Sequence, residues 1–370
     1  MSTLPFPPSA SSDPQVYVTI SALDGGHLTL PEGLFVTDAD PDKRSTVPSL
    51  SFLIQHPSQP PNKNHDNDND NVDSENTKIV FDLGIKRDLS GYRPAMQSHI
   101  ANRQPILTSP DVAGSLRQGG LDPATDIDLV IMSHVHWDHV GTPADFARAT
   151  FVVGPGTLRL LEQGAPPHYP AEIFDPEMLP RERVWELPAS GVSDGSEAGY
   201  VGEKAMALKN AWQPLGSGSS DDNSDSDIIF PAVIDLFNDR SLYLIDSPGH
   251  LFGHMNLLAR IGPTKWVYLG GDCCHDARIL TGEKDIALYD DGRGHLRSVH
   301  VDTDVARTTL QRIRRLLPET TTEDGRVISS VAGRSLVNGA GDASVEIEVI
   351  VAHDGAWREK NRHRFFPNML

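Results

Sequence analysis

The 370-residue chain has two cysteines, Cys273 and Cys274, and they are adjacent. Sequence neighbours rarely reach disulfide geometry, so a scaffold stapled by disulfides is excluded. No apolar stretch approaches the roughly 18 residues of a membrane-spanning helix. The opening segment, MSTLPFPPSASSDPQ, lacks both the basic and the apolar region of a secretory signal. FFPNML at the other end carries no retention or peroxisomal address. Together these absences predict a cytosolic protein without a membrane partner. Positive charge is also scarce: 32 Lys and Arg stand against 51 Asp and Glu, a formal net charge of −19. Phosphate binding needs a basic surface, so nucleic acid is not the expected partner.

What is present is 38% hydrophobic, enough for a substantial core. Part of the acidity is concentrated. Residues 60–78 and 216–227 hold nine acidic side chains in polar, low-complexity tracts, which read as disordered insertions. Residues 1–15 read as a disordered N-terminus. Residues 16–370 read as a single catalytic domain with polar insertions near 60–77, 190–227 and 319–344.

Between the insertions, apolar runs predict strands at 51–56, 78–83, 126–132, 150–154, 241–246, 265–270 and 345–352. Thr142, Pro143 and Asp145 carry the signals of a short helix start. A second helix is expected over 156–163, stopped by Gly164. A third, over 303–317, would place Ala306, Leu310, Ile313 and Leu317 on one face and end at Pro318. Strands with a few helices between them suggest a layered α/β protein.

The strongest chemical signal is His134-Val135-His136-Trp137-Asp138-His139, directly after the apolar run 126–132. Imidazole and carboxylate are the ligands that zinc and similar divalent ions prefer. The same architecture recurs. Run 241–246 leads to His250, run 265–270 to Asp272, and run 345–352 to His353. Strand ends position side chains in a shared crevice, and here each delivers a metal-type ligand.

HVHWDH, SPGH, GGD and AHD, in that order, resemble the signature of the metallo-β-lactamase superfamily. Asp82 in FDLG matches the acidic residue that follows an early strand in that family. The resemblance covers most of residues 50–355 and implies an αββα sandwich, with the metals at one edge of the two sheets. SPGHLFGH and the 22-residue step from His250 to Asp272 are most similar to the N-acyl homoserine lactone lactonases, the quorum-quenching members. The whole chain, including GGDCCHDARILTGEK, is also similar to fungal members, some of whose relatives open the cyclic carbamate ring of plant benzoxazolinones.

Carried over residue by residue, the resemblance implies two divalent ions, zinc by default. His134, His136 and His250 would bind one ion. Asp138, His139 and His353 would bind the other, and Asp272 would bridge them. Asp82 and His254 would support ligand histidines from behind. A hydroxide shared by the two ions would attack the ester or amide carbon, and Asp138 would pass a proton to the leaving atom. The lactonases place a tyrosine three residues beyond the bridging aspartate. This chain has His275 there, and an imidazole can donate the same hydrogen bond. Trp137 would floor the pocket.

The expected activity is hydrolysis of a lactone, lactam or cyclic carbamate, with a small cyclic ester or amide as partner. The alternative is a thioesterase releasing a polyketide or acyl group. A redox protein of the diiron kind would carry a glutamate within the first motif and a flavin domain, and this chain has neither feature.

Overall fold

The computed structural model describes residues 15–57, 76–191, 212–216, 228–292, 294–321, 327–329 and 345–370. Two six-stranded sheets form its centre. The first holds β1 (Thr19–Pro31), β2 (Arg44–His56), β3 (Thr77–Phe81), β4 (Leu129–Ile131), β5 (Thr150–Val153) and β6 (Val184–Glu186), side by side in that order. Its first three strands are antiparallel, and the pairings from β3 to β6 are parallel. The second sheet comprises β7 (Gln213–Gly216), β8 (Ile228–Asp235), β9 (Leu242–Asp246), β10 (Met255–Arg260) and β11 (Lys265–Leu269), antiparallel throughout. Two short hairpins follow: β12 (Tyr289–Asp290) with β13 (Leu296–Arg297), and β14 (Glu319–Thr321) with β15 (Val327–Ser329). Strand β16 (Glu346–Ile350) then closes the second sheet parallel to β11.

Alternation along the strands builds the layers. Phe52, Ile54, Ile131 and Val152 of the first sheet share one apolar cluster with Leu242, Leu244, Val267 and Leu269 of the second. Their neighbours Leu53, Val130, Phe151, Tyr243 and Trp266 belong to another cluster, together with helix residues. Those residues come from α1 (Pro94–Ile100), α2 (Val112–Gln118), α3 (Thr157–Gln163), α4 (Ala277–Thr281) and α5 (Thr303–Arg314). A last helix, α6 (Gly355–Lys360), follows β16. The architecture is the αββα sandwich. Among the described residues no helix is long and apolar enough to cross a membrane.

Several elements differ from the sequence reading. The strand expected over 126–132 shortens to Leu129–Ile131, because Asp126 and Asp128 turn their carboxylates onto the backbone N–H groups of Asp122 and Lys78. Thr142 makes no side-chain cap, and Pro143–Asp145 is one turn of 3-10 helix. Helix α5 stops at Arg314; the next residues continue as turns, with Leu316 and Leu317 buried. Part of the polar stretch 319–344 is paired as the β14–β15 hairpin. The remainder of that stretch, residues 1–14, 58–75 and most of 190–227 lie outside the described residues. Strands β1, β6, β7, β8, β10, β12 and β13 were not expected.

Candidate metal centre

Five strands end at one place. Asp82 follows β3, the segment Ser133–His139 follows β4, His250 follows β9, Asp272 follows β11 and His353 follows β16. Their side chains are buried. Three imidazole nitrogens converge: His134 Nε2 lies 3.1 Å from His136 Nδ1, and His250 Nε2 lies 3.2 Å and 3.0 Å from these two. A tetrahedral ion with bonds of about 2.0–2.1 Å sets its ligand atoms roughly 3.3 Å apart, so the spacing fits one metal. Beside this triangle, Asp272 Oδ1 lies 3.1 Å from His139 Nε2 and 3.2 Å from His353 Nε2. Asp138 Oδ2 lies 3.6 Å from His353 Nε2. Asp272 Oδ2 faces the triangle, 3.7 Å from His134 Nε2 and 3.5 Å from His250 Nε2. The carboxylate thus stands between two ligand sets.

Except on His136, whose Nε2 is buried without a partner among the described residues, the outer nitrogens of these rings are tied down, which fixes the tautomer. His139 Nδ1 donates to Asp82 Oδ2 at 2.8 Å, and His353 Nδ1 donates to the Pro48 carbonyl at 2.8 Å. His134 Nδ1 lies 3.0 Å from the Ser133 hydroxyl, which donates to Asp82 Oδ2 at 2.6 Å. His250 Nδ1 pairs with His300 Nδ1 at 3.1 Å. Among the described residues the inner atoms His139 Nε2, His353 Nε2 and Asp272 Oδ1 are buried and make no well-directed hydrogen bond, although the two nitrogens lie 3.1 and 3.2 Å from the oxygen. Unsatisfied buried polar atoms are costly, and a divalent cation between them is the partner their lone pairs fit.

Electrostatics divides the rings into two groups. Burial, then the neighbouring His139, holds His134 well below the usual imidazole range, and burial with His134 and His136 does the same to His250. Burial takes His136 down to about 3. Burial also opposes charge on His139, but Asp272 and Asp82 outweigh it and raise that ring well above the usual range. His353 is likewise raised, by Asp272 and Asp138 against burial. Asp272, which burial alone would raise, is held well below the carboxylate range by His139, His353 and His275.

The remaining expected residues are nearby. His275 Nε2 lies 3.1 Å from Asp272 Oδ2, and with Asp272 and His353 it forms a further metal-capable group. His254 has both nitrogens engaged: Nδ1 donates to the Ser247 carbonyl at 2.9 Å, and Nε2 accepts the Asp272 N–H at 3.2 Å. Trp137 is buried, with Tyr92 edge-on at 6.0 Å and the Tyr92 hydroxyl donating to its carbonyl. Above the cluster opens a cavity of about 210 Å³, lined by His136, Trp137, Asp138, His275, His353 and other residues.

No family model matches the chain. Cytochrome P450 monooxygenase mpaDE of Penicillium brevicompactum is 26% identical over 99% of this chain, and the chain spans only 36% of that relative's length. Gamma-lactamase MBL2 of Gibberella moniliformis is 31% identical over 53% of the chain, which covers 70% of it. The chain belongs to the metallo-β-lactamase superfamily of hydrolases. Among solved structures, the AiiA protein of B. thuringiensis with N-decanoyl-L-homoserine bound matches 96% of the chain and 100% of its own, with a TM-score of 0.56 at 14% identity.

For this metallo-β-lactamase-fold protein the sequence reading overlooked Ser133, His300, Arg103 and Tyr169. Tyr169 packs its ring on His136 at 4.8 Å, with its hydroxyl bound to the Val299 carbonyl. Ser133 adjoins the first motif and was within reach. His300 is 50 residues from His250, and no local pattern announces their contact.

Proposed function

We propose that the protein is a dinuclear metal-dependent hydrolase that opens a lactone, lactam or cyclic carbamate ring, with zinc as its resident metal. What carries the reading is the set of buried imidazole and carboxylate groups that converge at the base of a small cavity. His134, His136 and His250 would hold one ion, Asp138, His139 and His353 the other, and Asp272 both. When bound, two such ions supply a hydroxide near neutral pH and polarise the carbonyl.

The chain's own residues do the rest. Asp138 lines the cavity and would carry a proton to the leaving oxygen or nitrogen. His275 also lines the cavity, and its imidazole would donate a hydrogen bond to the substrate carbonyl while Asp272 orients it. Trp137, Phe35 and Leu30 give apolar walls that exclude water and suit a compact ring. Asp82 and Ser133 keep the ligand nitrogens aimed inward.

The cavity, at about 210 Å³, is of a size to seat a small ring above the cluster. The relatives named a gamma-lactamase and the structure holding an acyl homoserine support the same substrate class. The test is a panel of γ-lactones, γ-lactams, a cyclic carbamate and acyl thioesters offered to metal-loaded protein. Ring opening abolished by chelation is expected. Turnover of thioesters alone would transfer the site to the alternative reading.

A further inference from the structure

Arg103 ends the 3-10 turn Ala101–Arg103 after α1 and is 9% exposed. Among the described residues its guanidinium has no hydrogen bond or ion pair, although it lines the same cavity as His136, Asp138 and His275. Guanidinium stays charged in proteins, so this is a retained buried cation. Such a group is poorly tolerated unless a partner arrives. The carboxylate whose charge it feels is Asp138, a residue already committed to the metal-capable cluster.

A second arginine reaches the cavity from β13. Among the described residues Arg297 Nε is buried without a partner, Nη1 makes one long bond, 3.4 Å, to the Pro167 carbonyl, and the side chain is also hydrogen-bonded to Tyr289. Its guanidinium lies over Tyr289, 5.6 Å from the ring centre, and Tyr289 is within electrostatic reach of both arginines. Two planar forks thus enter a largely apolar cavity whose base is the metal-capable cluster. Arginine is the side chain suited to bidentate capture of a carboxylate.

We propose that Arg103, with Arg297 at its side, is an anion subsite, and that the substrate is a lactone or lactam bearing a carboxylate remote from the scissile carbonyl. This rests on the hydrolase reading above. The remote carboxylate would anchor the ring so that its carbonyl meets the cluster, a use of binding away from the reacting atoms.

The test uses metal-loaded full-length protein and two pairs of probes. The first pair is γ-butyrolactone γ-carboxylate and its carboxamide, for turnover. The second is pyroglutamate and its amide, for calorimetric binding. The wild type is expected to favour the carboxylate in kcat/KM by about 10–100-fold, the effect of one desolvated charge pair. Arg103→Met should erase the preference by raising KM for the carboxylate, with kcat within about two-fold. Arg103→Lys should restore part of it. Unliganded Arg103→Met should melt at or above the wild type, because a structural arginine would lower the melting point when removed and an unpaired one would not. Equal kcat/KM for carboxylate and carboxamide in the wild type would overturn the subsite. So would an equal loss on both substrates in Arg103→Met, which would mean that the arginine serves the carboxylate formed by ring opening. If neither lactone is opened, the ring-opening panel above decides the hydrolase reading and calorimetry alone decides the subsite. A wild type and Arg103→Met of equal affinity for pyroglutamate then overturn the subsite, and a 10–100-fold weaker variant upholds it.

Discussion

Five histidine nitrogens lie within 4 Å of the Asp272 carboxylate, on His134, His139, His250, His275 and His353. Asp272→Ala should therefore lose bound metal and nearly all hydrolysis. His254→Ala should keep its metal, since both of its nitrogens already serve the backbone. Elemental analysis of the two purified variants checks this, and a metal-replete, active Asp272→Ala would refute the assignment. His275→Ala should lower turnover by about 10²–10⁴, the range for a lost general acid or base, with metal retained. Loss of metal instead would identify His275 as a ligand. Proton release distinguishes the two positions. His134, His136 and His250 are neutral in the metal-free protein at pH 7, because their pKa values are lowered. His139 and His353 are raised, so they hold protons until pH climbs through those raised values. Metal needs neutral imidazole. Entry at the three-histidine position should release few protons, and entry at the other should release protons and weaken steeply as pH falls. Calorimetric zinc titration in buffers of different ionisation enthalpy reads this; equal proton release in both steps would contradict it.

Elements enter the site through the turns that follow them. Strand β9 delivers His250 across Ser247-Pro248-Gly249, and Gly249 has φ +122°. A Cβ there would lie 2.3 Å from the Ala306 backbone nitrogen in the first turns of α5. Gly249→Ala must displace the loop or the helix, at a cost of at least ~2 kcal/mol, and should weaken metal at the three-histidine position. Urea unfolding with metal analysis tests this; wild-type values for both would show that the turn is not what positions His250. The strands that carry ligands were legible because a strand buried on both faces reads as an apolar run, and each run stopped at a metal-type residue. Strand β1 was not legible. Its Gly25-Gly26 pair sits at a register shift between Asp24 and His27, which breaks the alternation. Strand β10, MNLLAR, is short and holds a buried Asn256 and Arg260 that mask its apolar face. Contacts that join distant segments, such as His250 with His300 or Arg103 with the cavity, leave no local pattern.

At the scale of the whole molecule, both the position of the site and the tolerance of the chain follow from the two sheets. Residues His56 and Thr77 are register partners, so β2 and β3 are already joined at the base of the acidic tract between them. Deleting 62–76 and shortening 216–227 should leave turnover within about three-fold, since polar tracts bury little core and closure cost varies slowly with loop length. A folded deletion variant with a large loss of turnover would show that a tract reaches the cavity. Joint action of two ions in one buried cluster is the property on which the proposed chemistry depends. It is tested most directly by adding zinc in measured equivalents to chelator-stripped protein and following ring opening of a γ-lactone or γ-lactam. No turnover is expected without metal, and a rise that levels off at about two equivalents per chain, because the ligand set is too large for one tetrahedral ion. Full turnover in metal-free protein, or saturation at one equivalent, would contradict it.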